Sequence, residues 1–314
     1  MSKDTQKVRN WHHYNEGLKQ RGSLTLWISK EALEQWRYGG APKRGGQFRY
    51  SELAIETCLT VRMLYHLPLR ATEGFMQSLL ALMHLLLPIP DYSTMCRRSQ
   101  ALSIDIRKPS GSVITDLVVD ATGLKVYGEG EWKVRVHGKA KHRTWLKLHV
   151  ALDAESQQAW AVSLTTNEVD DASEVPELLK AVDVPMRSFT GDGAYDKDKV
   201  RRLLWERAEK QGEDILTLMN LQQKAITDVK HRVYMAQRDQ DIQVVQQVGL
   251  KEWKVCSGYH QRSKAETFMF RYKTTLGDHI HCRKLATQTT EAKLGARILN
   301  LMLKVAKPIR EQVA

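Results

Sequence analysis

The chain has 314 residues, 42% of them hydrophobic and 27% charged, with a formal net charge of +12. That is enough chain and enough apolar side chain for one large or two moderate globular domains, and it excludes a disordered or collagen-like polymer. No apolar run opens the chain, and the most apolar stretch, Leu79 to Pro88, is too short to span a bilayer and carries His84, so it predicts a buried helix rather than a membrane anchor.

The charge is unevenly placed. Residues 1–110 carry 16 basic and 9 acidic side chains, residues 111–227 carry 16 and 19, and residues 228–314 carry 16 and 8. Basic flanks around a slightly acidic middle suit a polyanionic partner, nucleic acid first, with a solvated basic surface as the plain alternative. Cys58, Cys96, Cys256 and Cys282 are scattered without a close pair, which fits free thiols in a reducing cytoplasm and no standard zinc spacing.

In chain order, Thr25 to Ile28 predicts a short strand, and Ser29 caps a helix from Lys30 to about Arg37. Residues 39–46, rich in glycine, predict a loop bearing Lys43 and Arg44. Ser51 caps a strongly periodic helix that ends at Leu67-Pro68. A second helix runs from about Arg70 to Leu86. A third, short one is capped by Asp91 or Ser93 and ends in Arg97 and Arg98. Residues 51–100 therefore resemble a helix-turn-helix unit whose third helix enters a DNA groove; a plain helical bundle has the same pattern. The boundaries that follow are a helical DNA-binding region over 1–110 and a second domain over 111–314.

From Ser112 the period changes. Val113 to Asp120, Trp145 to Leu152 and Gln158 to Thr165 predict three strands of an antiparallel meander. Gly123 and Gly128-Glu-Gly130 mark turns, and the second-domain hairpin is crowded with Lys125, Lys133, Arg135, Lys139, Lys141, Arg143 and Lys147. A helix over 172–181, a strand running into Gly191-Asp192-Gly193, a helix over 197–210 and a strand over 215–219 follow. Residues 221–256 form an insertion with a helix stopped by Gly249, and helices then run from about Tyr259 and from Thr290 to Ala306. Three strands, helix, strand, helix, strand, insertion, helix is the order of a ribonuclease-H-like α/β fold, a five-stranded mixed sheet flanked by helices.

In that order Asp120 ends the first strand, Asp192 follows the fourth and Glu266 rides the next helix. On a helical wheel with Tyr259 at zero, Arg262, Glu266 and Lys273 fall at roughly 300°, 340° and 320°, one stripe beside the apolar face of Ala265, Phe268, Met269, Tyr272 and Leu276. Three converging carboxylates repel unless hard cations sit between them, so Asp120, Asp192 and Glu266 are candidate ligands for Mg2+, with Mn2+ as its substitute, and two such ions suit phosphoryl transfer. Each acid also has an ordinary role available: a turn cap at Asp120 or Asp192, an ion pair with Arg262 for Glu266. His137, His142 and His149 lack any carboxylate spacing that would make them ligands.

Val118-Val-Asp120-Ala-Thr-Gly-Leu-Lys125, Gly191-Asp192-Gly-Ala-Tyr195-Asp, and the spacing Tyr259/Arg262/Glu266/Lys273 resemble the bacterial insertion-sequence DDE transposases, nearest to insertion-sequence family five. Lys147-Leu-His149 with Trp132 and Trp145 adds to the likeness, which covers about residues 10–305. The resemblance implies a cytoplasmic, nucleoid-associated transposase that binds double-stranded DNA, both terminal inverted repeats and target, as a homodimer or higher homo-oligomer, with no membrane partner. It implies Asp120, Asp192 and Glu266 as the catalytic triad holding two Mg2+ ions, and Tyr259, Arg262 and Lys273 as phosphate contacts, with Arg97, Arg98, Lys125 and Lys147 as further DNA contacts. Where such proteins often carry Pro and Arg after the fifth strand, this chain has Leu221-Gln-Gln-Lys224, leaving Lys224 as the candidate there.

Overall fold

The computed structural model describes residues 6–41, 45–106, 116–126, 145–221, 225, 227–228 and 230–312. The hairpin residues Trp132, Lys133, Arg135, His137, Lys139, Lys141, His142 and Arg143 lie outside that set, as do Lys43, Arg44 and Lys224. Two compact units form: Met1–Ile104 with Lys284–Thr290 and Arg297–Ala314, and Asp105–Arg283 with Glu291–Ala296.

The first unit is helical: α1 (Trp11–Gln20), α2 (Leu24–Trp27), α3 (Lys30–Glu34), α4 (Glu52–Leu64), α5 (Leu69–Leu82) and α6 (Tyr92–Arg98). The predicted caps form. Ser29 accepts from the Ala32 amide at 3.1 Å, Ser51 from Ala54 at 3.0 Å, and Asp91 from both Ser93 and Thr94 at 2.9 Å. Thr25 to Trp27 is helical instead of extended: α2 is one turn, with Trp27 buried and its indole N–H donated to the Arg21 carbonyl at 2.8 Å, so a buried indole anchor overrides β-propensity. The stretch Leu79 to Pro88 also departs from expectation, since α5 stops at Leu82, and Leu82 and Leu86 face solvent while Leu79 and Leu80 are buried. Trp36 is wholly buried and donates to the Pro88 carbonyl at 2.7 Å. A short antiparallel pair, β1 (Gln6–Val8) with β8 (Arg310–Gln312), completes this unit.

The second unit is a mixed sheet: β2 (Asp116–Val126), β3 (Trp145–Asp153), β4 (Ala159–Thr166), β5 (Ser188–Gly191), β6 (Leu216–Met219) and β7 (His279–Ile280). The order is β4-β3-β2-β5-β6, antiparallel across β4-β3-β2 and parallel across β2-β5-β6. This is the ribonuclease-H-like arrangement. Among the described residues the sheet has six strands, not five, because β7 adds in parallel to the far end of β2, pairing Lys125 with His279. Gly123 is no turn: β2 runs through it, and a Cβ there would stand 3.3 Å from the Trp145 ring.

Helices α7 (Asp171–Lys180) and α8 (Asp198–Gln211) pack on one face, where Leu117, Val119, Ala151, Phe189 and Met219 meet Val175, Leu178, Val200 and Leu204. The insertion supplies α9 (Ala236–Val248) and α10 (Leu250–Cys256). Strand alternation turns Val118, Asp120 and Thr122 to the other face, where α11 (Ser263–Leu276) packs on β2 and β3 through Ala265, Phe268, Met269, Tyr272 and Leu276. Residues 291–296 of α12 (Leu285–Val305) bring Gly295 against Tyr272. A Cβ at 295 would lie 2.6 Å from the Tyr272 ring and 2.7 Å from its hydroxyl, and that ring is buried. Gly295→Ala is therefore expected to destabilise by about 1–3 kcal/mol despite the helix-propensity gain of alanine, read as a lower denaturation midpoint; a raised midpoint would show that Tyr272 swings clear.

Candidate active site at the head of the second and fifth strands

The site grows from strand register. Val118 pairs with Thr190 across the parallel β2-β5 ladder. Continuing that register by two residues brings Asp120 level with Asp192, on strands about 4.8 Å apart. Asp120 thus does not end its strand, as the sequence suggests; it marks the point where β5 leaves and β2 continues toward β7. Asp192 is extended, with φ −76° and ψ −176°, and its Oδ1 accepts the Ala194 amide at 2.8 Å, capping the 3-10 turn Gly193–Tyr195. The glycines around it serve closeness. A Cβ at 191 would meet the Tyr195 ring at 2.9 Å, and one at 193 would meet the Asn220 carbonyl oxygen at 3.0 Å.

Glu266 lies in the first turn of α11 and is 54% exposed, whereas the Asp120 carboxylate is 15% exposed. Arg262 joins them: Nη1 stands 3.5 Å from Asp120 Oδ2, and Nη2 donates to Glu266 Oε1. Burial pushes the Asp120 carboxyl up to about 6; the Ala121 amide at 2.9 Å and Arg262 oppose this, while the charges of Asp192 and Glu266 add to it. Lys273 Nζ donates to Thr122 Oγ1 at 2.7 Å, two residues along β2 on the same face as Asp120. The three acids, Arg262 and Lys273 are thus gathered at one edge.

Tyr259 is placed differently from its neighbours. It opens a 3-10 turn, Tyr259–Arg262, ahead of α11, so the wheel angle drawn from it does not carry into the helix. Only 6% of it is exposed; its ring lies 5.7 Å from that of Trp253, with Lys254 Nζ 5.3 Å above it. Burial raises its hydroxyl to about 12.

The remaining cations are spoken for within their own units. Lys125 pairs with Asp278 at 2.8 Å, and Lys147 with Asp171 at 3.0 Å and the Val169 carbonyl at 2.8 Å. Arg98 donates to the Tyr50 carbonyl at 3.0 Å and lies 4.0 Å over the Phe48 ring, and Arg97 donates to Thr94 at 3.1 Å. His149 is a core residue bonded to Thr165 at 2.8 Å, held below the usual histidine range by burial. Asp116, another acid on β2, is tied to Arg187 at 2.6 Å and Ser188 at 2.5 Å.

Three carboxylates offer hard oxygen donors, which suit a divalent cation in donor chemistry. Among the described residues no three His, Cys, Asp or Glu side chains stand close enough to hold an ion together, and Arg262 contacts two of the three acids.

Two family models, each described as Transposase DDE domain, match residues 19–129 and 111–301. The chain belongs to the DDE transposase family. Members of this family work with divalent metal ions. Among solved structures, the chain is similar to the piggyBac transposase in its synaptic complex with hairpin DNA, at 13% identity and a TM-score of 0.29. That match covers 72% of this chain and 55% of the other. Among the described residues of the transposase, no helix is long and apolar enough to cross a membrane.

Residues the sequence did not single out also surround the site. Thr122 anchors Lys273, Trp253 seats Tyr259, and Arg201 and Arg238 hold Asp196, directly after the Asp192 turn. Thr122 is open to discovery from strand alternation alone; Arg201 and Trp253 lie five and six residues from their partners without a marked motif, and Arg238 reaches Asp196 from 42 residues away.

Proposed function

We propose that this transposase binds the terminal inverted repeats of its own insertion sequence, cuts the element ends and joins their 3′-hydroxyls to target DNA. The observation that carries this is the levelling of Asp120 with Asp192 across β2-β5, with Glu266 brought to Asp120 through Arg262. Asp120, Asp192 and Glu266 would hold Mg2+, two ions per site, and Mn2+ would substitute. Bound there, such ions polarise a phosphate oxygen and make water or a sugar hydroxyl a better nucleophile at neutral pH.

In the first reaction water attacks phosphorus in line, a P–O bond to the 3′ oxygen breaks, and a free 3′-hydroxyl remains. In the second, that hydroxyl attacks a target phosphodiester, one P–O bond forming as another breaks. Arg262 and Lys273 present cations along one side of α11 and are suited to hold the phosphates flanking the scissile bond. Helices α4 to α6 are the segment proposed to recognise the repeats, Arg97 and Arg98 closing the third helix, with Lys125 and Lys147 as further contacts. A homodimer or larger assembly brings two ends together. The spacing of Tyr259, Arg262, Glu266 and Lys273 supports a proposed membership of insertion-sequence family five.

The test supplies purified full chain with duplexes copied from the DNA flanking its gene, intact or precleaved with a free 3′-hydroxyl, and a supercoiled target plasmid. Cutting of intact ends and joining of precleaved ones are expected with Mg2+ and not with EDTA. Cutting without joining would make the protein a nuclease, and binding without either would make it a regulator.

A further inference from the structure

A buried chain of polar contacts runs from the Asp192 turn through the inserted helices to the start of α11. Asp196 follows the turn directly, and its carboxylate is 5% exposed. It accepts from Arg201 Nε at 2.7 Å and from Arg238 Nε at 3.0 Å and 3.3 Å. Arg201 comes from α8 and passes its Nη1 to Thr217 of β6 at 3.0 Å. Arg238 comes from α9, whose Gln237 accepts from the Thr217 amide at 3.1 Å and hydroxyl at 2.9 Å. Three residues on, Asp241 accepts the Trp253 indole N–H of α10 at 3.0 Å. Trp253 packs on Tyr259, whose turn leads to Arg262 and Glu266.

A buried ion pair is a poor device for stability alone, because desolvation offsets most of the attraction; an apolar contact of equal volume would brace the fold as well. What a doubly held carboxylate does well is fix a register, since two planar guanidiniums leave one orientation for Asp196 and hence for the turn before it. Arg201 Nη2 and Asp241 Oδ2 are buried without a hydrogen-bond partner among the described residues, and the two charges attract each other, tying Arg201 to the same network as Trp253.

We propose that Asp196 and Arg238 are positioning residues: through them the inserted helices α9 and α10, with Trp253 and Tyr259, hold the Asp192 turn in register with the helix start that bears Arg262 and Glu266. The chemistry served rests on the transposase reading above; the register itself does not.

The full chain is compared with Arg238→Met, Arg238→Lys and Trp253→Phe, and with Arg232→Ala as a control. Arg232 ties the same insertion to Asp198 and bonds Asp228 at 2.9 Å, without a hydrogen bond, among the described residues, to Asp196 two residues from that anchor. Three quantities are read: Mn2+ affinity by calorimetry, end-cleavage kcat and KM, and melting temperature. Loss of a partner that orients a metal ligand weakens metal binding or turnover about 10- to 100-fold, so Arg238→Met is expected to lose that much in Mn2+ affinity and in kcat with KM for DNA within about threefold. Arg238→Lys should recover part of it, Trp253→Phe should move the same way by less, and Arg232→Ala should lower the melting temperature with Mn2+ affinity unchanged. If Arg238→Met melts earlier yet binds Mn2+ and turns over like the parent well below its melting point, the role is structural and the proposal fails. If Arg238→Met does not fold, parental Mn2+ affinity in both Arg238→Lys and Trp253→Phe overturns it. A parent that binds Mn2+ but cuts no DNA end removes the transposase reading alone, because the Mn2+ comparison still decides the positioning claim.

Discussion

Asp120→Asn, Asp192→Asn and Glu266→Gln each abolish end cleavage while leaving end binding intact, with losses expected on the order of a thousandfold or more in single-turnover rate. The substitutions are chosen to keep the local hydrogen bonds. Asn at 120 retains an oxygen for the Ala121 amide, and Asn at 192 retains the cap on Ala194, so the strand and the 3-10 turn survive the loss of charge. Gln at 266 keeps an acceptor for Arg262. On the proposal that the three acids act as one ligand set, the double variant Asp120→Asn/Asp192→Asn is expected to be no slower than either single variant. Gel-shift binding in Ca2+ and cleavage in Mg2+ measure the two properties separately. Normal cutting by Glu266→Gln would remove it from the site, and loss of DNA binding in all three would mean the acids act on the fold rather than on the reaction.

The order of elements was legible because each piece had a local cause. Ser51 and Asp91 cap their helices, alternation marks β3 and β4, and Gly249 with φ +87° stops α9. The adjacency of Asp120 and Asp192 was legible only through the fold, since it depends on β5 pairing in parallel with β2 rather than on any spacing along the chain. What stayed hidden has a physical pattern. The two-residue β7 is too short to show a period, and it exists because β2 runs past Asp120 and offers an open edge. The helix of Thr25 to Trp27 depends on a buried indole bond that no propensity encodes. Tyr259 shares a sequence stripe with Arg262 and Glu266, yet the 3-10 turn advances it by more than an α-helical step per residue, and its ring turns to Trp253. Asp196 reads as one more acid in a turn until α8 and α9 bring Arg201 and Arg238 to it.

The fold carries a cost at Asp120 that its removal should expose. An acid whose carboxyl is lifted from 3.8 to about 6 binds its proton more tightly folded than unfolded. Ionised Asp120 therefore destabilises the fold at high pH, and the penalty is relieved as pH falls from about 6 to about 3.8. The full shift corresponds to about 3 kcal/mol, an upper bound because the side chain keeps some solvent and Arg262 can follow it. Asp120→Asn deletes the penalty, so in EDTA at pH 8 the inactive variant is expected to be more stable than the parent by about 1–3 kcal/mol, and at pH 4 the two should converge. Melting curves at pH 4, 6 and 8 decide it; a variant that melts no later than the parent at pH 8 would mean Arg262 already neutralises the charge. The same proton competes with a cation. Divalent affinity should be flat above about pH 6 and fall by about tenfold per unit below it, whereas an isolated surface aspartate would hold its affinity to about pH 4. The stability lost by burying the Asp120 charge is then what a bound cation would return, and adding Mg2+ should raise the parent's melting temperature at pH 8 but not that of Asp120→Asn.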